Sequence, residues 1–232
     1  MPPLVGRWST RRQRFGSLRA RQAGRRTLSA IRRLEPVVLC GRAVRLEPLA
    51  LEHVDALWAV AQAPELWELT SSSVRSRDEM RAYVEEALAA AERGSALPFV
   101  TRLASSGTLI GSTRFANFEA AHARVEIGWT WITPAHQRTA ANAEAKLLML
   151  RQAFEVWGLN RVELKTDVLN QRSQRAMERL GLVREGVLRR HMITSSGRVR
   201  DTLYFSAIRE EWPGLSAHIS ALVEASLARA GR

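Results

Sequence analysis

Cysteine and lysine are scarce in this chain of 232 residues, and it has no long hydrophobic run. The single cysteine, Cys40, cannot form a disulfide within the chain, which favours a reducing compartment, and we expect the protein to be cytoplasmic. Its neighbours in VVLCG predict an ordinary buried thiol rather than a nucleophile. No apolar run approaches the roughly 18 residues that span a bilayer, so we expect a soluble protein that does not contact a membrane. The five histidines show no metal-ligand spacing, and no metal site is expected.

Positive charge is carried almost entirely by arginine, because Lys146 and Lys165 are the only lysines, and it is distributed unevenly. The net charge is +12, and residues 1–35, with ten arginines and one glutamate, account for +9 of it. These residues lack apolar periodicity and are predicted to be a disordered basic extension. Three interpretations stay open: a solvated tail, an arm that contacts RNA or the ribosome, and a transit peptide. Residues 36–213 then form one predicted domain, and residues 214–232 a helical tail packed outside it or on a partner subunit.

A polar, basic loop, QRTAAN at residues 137–142, leads into a predicted helix. Apolar residues recur at three- and four-residue intervals from Ala143 to Trp157, which predicts the helix, with Asn142 as its N-cap. Free backbone N–H groups and the dipole at a helix N-terminus attract anions such as a pyrophosphate. The loop therefore predicts a phosphate-bearing cofactor.

The rest of the pattern mixes strands and helices. A strand is predicted over residues 161–168, followed by a helix from Asn170. Further strands are predicted over residues 37–49, 97–104, 109–117, 124–132, 187–193 and 199–208, and further helices over residues 52–63, 77–93 and 215–230. This order predicts an α+β fold with a largely antiparallel sheet of six to seven strands, which becomes parallel where the helix after residue 142 crosses over.

Together these segments resemble the GCN5-related N-acetyltransferases (GNAT), and within them the RimJ/RimL-type branch that acetylates ribosomal-protein N-termini. The family's acetyl-CoA signature is Gln or Arg, two residues, Gly, one residue, then Gly or Ala, and it aligns with residues 137–142. The similarity covers residues 37–213 and includes the stretches NAEAK, RVEL, NQRS, RLG and EG at residues 142–146, 161–164, 170–173, 179–181 and 185–186. It implies the GNAT fold, in which a parallel strand pair is splayed at the cofactor site.

The resemblance also implies that acetyl-CoA is the acyl donor and that coenzyme A is the product. In the family, the signature glycine lets backbone amides close on the pyrophosphate, and here Ala140 replaces it. The strand RVEIGWTWI, residues 124–132, would bind the acetyl carbonyl and the pantetheine arm through its backbone. The expected cofactor-binding residues are Thr130, Trp131, Ile132, Gln137, Arg138, Thr139, Ala140, Ala141, Asn142, Asn170 and Ser173.

Glu126, on that strand, is the candidate catalytic base. Strict alternation places Glu126, Gly128 and Thr130 on one face and Trp129 and Trp131 on the other. Acyl transfer needs a neutral amine, and a carboxylate can remove the proton directly or through water. The resemblance implies the same role for an acidic residue on this strand. The alternative is that Glu126 only pairs with an arginine across the sheet.

The leaving thiolate has no tyrosine at the expected place. Many family members protonate it with a tyrosine in the second helix of this segment, but Tyr83 and Tyr204 lie elsewhere. Ser173 is the candidate by position, as an acid or as a cofactor contact. Asn170 beside it either contacts the cofactor or caps the helix. A coenzyme A thiol, with a pKa of about 8.5, could also leave without help.

We therefore expect an acyl-CoA-dependent N-acyltransferase that moves an acetyl group to a primary amine by direct attack in a ternary complex. The acceptor is a protein N-terminus or a small-molecule amine, with Trp67, Arg114, Phe115 and Trp129 as its expected contacts. Two alternatives stay open: succinyl-CoA or another acyl donor, and a catalytically weak CoA-binding or ribosome-associated protein. A homodimer is implied by the resemblance alone.

Overall fold

The computed structural model describes residue 31, residues 33–70 and residues 72–231. The predicted basic arm falls almost entirely on residues 1–30, outside this part of the chain. Within the described part, the strands are β1 (Leu39–Cys40), β2 (Val44–Pro48), β3 (Leu97–Leu103), β4 (Leu109–Glu119), β5 (Arg124–Ile132), β6 (Arg161–Asp167), β7 (Val183–Ile193) and β8 (Val199–Ile208). The α-helices are α1 (Val54–Val60), α2 (Arg77–Glu92), α3 (Ala140–Arg151), α4 (Gln171–Arg179) and α5 (Trp212–Ala230). Among these described helices, none combines the length and hydrophobicity that crossing a membrane requires.

One mixed sheet contains the eight described strands, in the order β1-β2-β3-β4-β5-β6-β8-β7. Neighbouring strands are antiparallel except β5 and β6, which are parallel and are connected through α3. The predicted α+β fold with one parallel strand pair is confirmed. The sheet has one strand more than the predicted six to seven, because the segment 37–49 reverses at Gly41, whose N–H donates to the carbonyl of Val44 at 2.8 Å.

Helices cover both faces of the sheet, and alternating strand residues separate the two cores. Phe99 and Ile110 belong to the larger core, which is covered by α3 and α5, whereas Val100 and Leu109 belong to the smaller core under α1 and α2. The larger core also contains Leu34, beside the predicted boundary after residue 35. From α5 it contains Trp212, Leu215, Ile219 and Val223, so this helix shares the core of the sheet.

The turn between β1 and β2 is tied to α3 by Glu144. This glutamate is buried, and its carboxylate accepts hydrogen bonds from the backbone N–H groups of Arg42 at 2.8 Å, Ala43 at 2.6 Å and Val44 at 2.7 Å. Three donors to one carboxylate offset the cost of removing it from water. The contact fixes the edge of the sheet to the helix that follows β5.

The prediction that Cys40 is buried is wrong, because its thiol is exposed. Cys40 alternates with the buried Leu39 on β1, which is one of the two edge strands of the sheet. Apolar neighbours in the sequence do not reveal that a strand lies at an edge.

Candidate functional site

The parallel strands β5 and β6 separate along their length. They pair only over their first three residues, from Arg124 opposite Arg161 to Glu126 opposite Glu163, although β5 continues to Ile132 and β6 to Asp167. Beyond Glu126, the edge of β5 that faces β6 has no described strand partner, so backbone N–H groups on that edge are available to a ligand. The helices α3 and α4 both begin beyond the ends of these strands, at the open end of the pair.

Ion pairs hold the closed end of this strand pair. Glu163 accepts hydrogen bonds at 2.9 Å from Arg124 and from Arg161, and Arg161 also binds Glu185 through two nitrogens at 2.6 and 2.5 Å. Burial would raise the pKa of Glu163, but the two arginines outweigh it and hold that pKa below its ordinary value. The opening is therefore anchored at one end by buried and half-buried charges.

The helix α3 begins three residues earlier than predicted. Thr139 is its N-cap, with its hydroxyl accepting a hydrogen bond from the Ala141 N–H at 3.2 Å, so the prediction of Asn142 as N-cap is wrong. Threonine is also a favoured N-cap residue, although it ranks below asparagine, so the polar run 137–142 offers more than one start. Ala140 and Ala141 consequently lie in the first helical turn and are buried.

The methyl group of Ala140 belongs to the larger core. It stands at the family's glycine position, but it packs inward and does not lie on the exposed side of the loop. Arg138, two residues earlier, is exposed and has a left-handed backbone with φ of 63°, which is unusual for a residue other than glycine. This conformation, directly before a helix N-terminus, is typical of loops whose N–H groups bind an anion.

Gln137 links this loop to both neighbouring elements. Its amide nitrogen donates to the carbonyl of Ile132 at 2.9 Å, at the end of β5. Its amide oxygen accepts from Arg172 of α4 at 3.2 Å, and Arg172 also donates to the carbonyl of Glu65 at 3.3 Å. The structure thus brings the predicted cofactor residues of the loop next to the first turn of α4.

Asn170 and Ser173 lie at the start of α4. The side chain of Asn170 caps the helix by accepting from the Ser173 N–H at 3.0 Å, so the capping interpretation of Asn170 is confirmed. Ser173 is half-buried, and among the described residues its hydroxyl has no hydrogen bond to a carbonyl one turn back. Its position at the open end of the strand pair leaves both predicted roles of Ser173 available.

Glu126 is buried where β5 and β6 begin to separate, and it is 6% exposed. Its Oε2 lies 2.6 Å from Nζ of Lys165 and accepts a hydrogen bond from Asn117 at 2.6 Å. Oε1 faces the other way, toward Gly128, where a Cβ would lie 3.1 Å from it. The carboxylate is thus fixed through one oxygen while the other faces the gap that the glycine leaves.

Lys165 is the partner that holds this carboxylate, in place of the arginine considered from the sequence. Burial opposes the charge of Lys165, but the hydrogen bond and the charge of Glu126 outweigh it and raise the pKa of this lysine. The ammonium also lies 5.1 Å from the ring centroid of Tyr204. Lys165 therefore remains a cation at neutral pH and orients Glu126.

A β-bulge interrupts β5 and changes the predicted faces. The ladder with β4 pairs Arg114 with Gly128 but Ser112 with Trp131, so β5 has one extra residue opposite Thr113. Trp129 at this point has φ of 49°. Strict alternation over the whole strand is therefore wrong: Trp131 is buried in the smaller core, away from the face that carries Val125 and Ile127.

Two predicted acceptor residues on β4 point to opposite faces. Phe115 is fully buried in the larger core, where its ring meets those of Phe99 and Trp157, so its contacts are packing contacts. Arg114 lies on the face of the smaller core, with its guanidinium carbon 4.6 Å from the centroid of the Trp129 ring. It is buried, and its Nη2 has no hydrogen-bond partner among the described residues.

A cleft of about 360 Å³ lies between the loop after α1 and the β7–β8 turn. Trp67 forms part of its wall, and the ring of Trp67 lies 5.4 Å from that of Trp131 on β5. The cleft is therefore supported by the strand that carries Glu126. Its other described walls include Trp58, Gln62, Glu68, Arg75, Thr194 and Ser196.

The patterns in the sequence do not single out Asn117, Lys146 or Lys165 as members of this region. The one available signal is the scarcity of lysine: in a chain that uses arginine for nearly every cation, the two lysines lie on opposite sides of β5. No group of three or more histidine, cysteine, aspartate or glutamate side chains within residues 33–70 and 72–231 is arranged to hold a metal ion.

Comparisons with known proteins identify the family. A family model described as an acetyltransferase (GNAT) domain matches residues 43–183, more than half of the chain. The crystal structure of a GCN5-related N-acetyltransferase from Brucella melitensis is 31% identical, covers 82% of this chain and 87% of its own, and has a TM-score of 0.76. Mycobacterium smegmatis RimJ, solved in complex with CoA-disulfide, is 23% identical with a TM-score of 0.65, covers 81% of this chain and 93% of its own, and shares the fold.

Among curated proteins, the chain is similar to YdaF of Bacillus subtilis (strain 168), which is named as a candidate ribosomal N-acetyltransferase. The two are 31% identical over 108 residues, which cover 47% of this chain and 58% of YdaF. The chain thus matches less than two thirds of the length of this relative. The family model, the Brucella melitensis structure and the opening between two parallel strands agree: the chain belongs to the GNAT acetyltransferase family.

Proposed function

We propose that this protein is an acyl-CoA-dependent N-acetyltransferase that moves an acetyl group from acetyl-CoA to a primary amine. The observation that carries the proposal is the placement of Glu126 at the point where β5 and β6 separate, with one carboxylate oxygen fixed by Lys165 and the other directed at Gly128. A base needs such an accessible oxygen in a defined position.

The residues around the opening fit a pyrophosphate-bearing donor. Arg138 and Arg172 supply positive charge beside the N-terminus of α3, whose first-turn N–H groups lack intrahelical acceptors. The inward-facing methyl of Ala140 leaves the loop surface clear. Support also comes from RimJ, the structural relative that was solved with CoA-disulfide.

Acyl-CoA, when bound, supplies an acyl group activated as a thioester. Glu126 accepts the proton that an ammonium acceptor must lose before its nitrogen can attack, and Lys165 keeps the carboxylate oriented. Free backbone N–H groups on β5 beyond Glu126 are the donors available to the acyl oxygen, and each well-placed donor can lower a barrier by roughly 3 kcal/mol. Ser173 is the candidate proton donor for the leaving sulfur.

Direct transfer in a ternary complex is the form of the reaction that this geometry favours. The single thiol, Cys40, lies on β1, four strands away from β5 in the sheet, so it cannot serve as an acyl carrier at this site. The acceptor would then approach from the cleft beside Trp67. We propose a protein N-terminus or a small primary amine as acceptor, since YdaF is named for action on the ribosome.

Calorimetric titration with acetyl-CoA, succinyl-CoA and free CoA tests the donor, and mass spectrometry of N-terminal peptides and small amines tests the acceptor. We expect binding of all three nucleotides, with turnover fastest from acetyl-CoA. Faster turnover from succinyl-CoA would identify succinyl-CoA as the donor. Binding of CoA without acylation of any amine would favour a CoA-binding protein over an enzyme. No binding at saturating concentration would contradict the proposal.

Charge reversal of Arg172 tests where the nucleotide binds. Arg172→Glu should weaken CoA binding about tenfold, because it removes a cation beside the loop and adds an anion. Arg151→Glu is the matched control, since Arg151 is exposed at the opposite end of α3. Equal losses in the two variants would mean that the effect is general electrostatics rather than a site at the N-terminus of α3.

A further inference from the structure

Lys146 is a buried lysine on the second turn of α3, and it is 5% exposed. Its Nζ donates to Oγ1 of Thr130 on β5 at 2.5 Å and lies 3.3 Å from Oγ1 of Thr113 on β4. The two hydroxyl oxygens are 2.7 Å apart. No carboxylate of the described residues forms an ion pair with this lysine. Burial alone lowers its pKa to about 7.

The three side chains meet at the bulge of β5. Thr113 stands opposite the extra residue of β5, and both threonine hydroxyls lie near the carbonyl of Gly128, at 3.4 and 3.5 Å. Trp129, between Gly128 and Thr130, has the left-handed φ of 49°. Such a conformation is strained for a residue other than glycine and persists only where its surroundings hold it.

The bulge is held from both faces of the sheet. On the α2 side, the Trp129 ring lies against the guanidinium of Arg114. On the α3 side, Lys146 supplies a hydrogen-bonded link between the helix and the strand. The same helix begins at Ala140, six residues or about 9 Å before Lys146, at the proposed pyrophosphate site.

We propose that Lys146 is a positioning residue that fixes the bulge of β5 relative to the N-terminus of α3, and so aligns the two ends of the acyl-CoA site. The proposal rests on the proposed function. Lys146 does not touch the reacting atoms; it acts through Thr130. A neutral apolar side chain would fill this part of the core at a lower desolvation cost. We therefore attribute the role of the amine to its hydrogen bond with Thr130.

Misalignment of the acyl group should slow acyl transfer without lowering the affinity for the nucleotide. Displacement of reacting groups by about 1 Å can cost roughly 100-fold in rate. Lys146→Met keeps most of the side-chain length without the amine. We therefore expect it to lower kcat by roughly 10- to 100-fold, up to the loss that a displacement of about 1 Å can cause. The Kd for free CoA, which has no acyl group to align, should stay within about threefold.

A double-mutant cycle tests whether Lys146 acts through Thr130. Thr130→Val removes the hydroxyl at constant shape and should lower kcat similarly. The double variant should be no slower than the slower single variant, because the two changes break one link. Independent, multiplying losses would overturn the proposal.

Glu144→Gln is the matched control for stability. Glu144 is also polar, buried and on α3, but it binds the β1–β2 turn and makes no contact with the bulge. We expect its melting temperature to fall while kcat stays near the wild-type value. If loss of stability were the only cause of the lower kcat of Lys146→Met, then Glu144→Gln would also lose kcat, in proportion to the fall in its melting temperature.

The outcomes separate the two proposals. A wild-type chain that neither binds CoA nor acylates any amine would overturn the proposed function and this inference with it. An active wild type whose Lys146→Met and Thr130→Val variants keep kcat within twofold would overturn this inference alone, as would a loss of CoA affinity equal to the loss of kcat. If Lys146→Met fails to fold, the smaller Thr130→Val change decides.

Discussion

A Cβ placed on Gly128 would lie 3.1 Å from Oε1 of Glu126, while Oε2 of the same carboxylate is bound by Lys165 and Asn117. The two oxygens of Glu126 therefore differ in kind. One is a structural anchor, and the other faces a gap slightly too small for a methyl group at ordinary contact distance. This division allows Glu126 to be held in place and to accept a proton at the same time.

Replacing Glu126 with glutamine should lower kcat by about 100-fold or more, because a positioned general base contributes roughly 10²- to 10⁴-fold. Steady-state kinetics together with calorimetric CoA binding provide the measurement, and CoA affinity should change little. Glu163→Gln is the control, since Glu163, which stands opposite Glu126 in the ladder, is also buried and ion-paired but is bound by Arg124 and Arg161 at the closed end of the strand pair. Glu163→Gln should lose stability and keep kcat. If Glu126→Gln also lost stability and kept kcat, Glu126 would have a purely structural role.

Filling the gap beside Oε1 should have a separate effect. Gly128→Ala puts a methyl at a distance tighter than ordinary contact, so Glu126 must shift, and we expect kcat to fall about tenfold with the chain still folded. The control is Gly186→Ala on β7, where nothing lies within 4 Å of the added Cβ. Kinetics and thermal melting of both variants check the prediction, and wild-type kcat in Gly128→Ala would show that Oε1 is not the reactive oxygen.

Lys146 should make the free energy of unfolding depend on pH. Its pKa is about 7 in the folded chain and about 10.5 when unfolded, so between these values the unfolded chain binds more protons. The free energy of unfolding therefore rises with pH across this window. Lys146→Met removes that rise. The free energy of unfolding of the variant, relative to that of the wild type, should be highest at pH 7 and should fall progressively toward pH 10.

Denaturant unfolding at pH 7, 8.5 and 10 measures this difference. Lys165→Met is the comparison, because Glu126 raises the pKa of Lys165, so that its stabilising charge is fully present throughout this range and its removal should cost the same at each pH. A constant difference between wild type and Lys146→Met would mean that Lys146 is charged in the folded protein.

Ser173→Ala should have a small effect. The leaving thiol has a pKa of about 8.5, so it can depart largely without an acid, and we expect kcat to fall by less than about tenfold. The hydroxyl of Ser173 is half-buried, and the cap of α4 depends on its N–H, which alanine keeps. Steady-state kinetics with acetyl-CoA and calorimetric binding of free CoA measure the two roles separately. Unchanged turnover and CoA affinity would remove Ser173 from both predicted roles.

The sequence predicts the elements around the site well and their details less well. The bounds of β5 and β8 agree with the prediction, because alternation and turn residues mark strands of this kind clearly. The predicted start of α3 is wrong by three residues, since Thr139 and Asn142 are both favoured N-cap residues and the structure uses Thr139. Local preference alone does not choose between two adequate caps.

The bulge and the burial of Lys146 could not be predicted from the pattern. A bulge adds one residue relative to the neighbouring strand, and the alternation RVEIGWTWI looks regular without that neighbour. Lysine is rarely buried, so Lys146 is expected at the surface until its two threonine partners are known. Both features depend on contacts between elements distant in sequence.

The bonds from Glu144 to the turn at residues 42–44 join positions 100 to 102 residues apart. During synthesis, the first two strands therefore emerge long before the helix that will secure them. Contacts of such long range are expected to form late, because closing so long a loop costs conformational entropy before the contact can offset it. The edge of the sheet that β1 and β2 form is thus expected to assemble last, although it is made first.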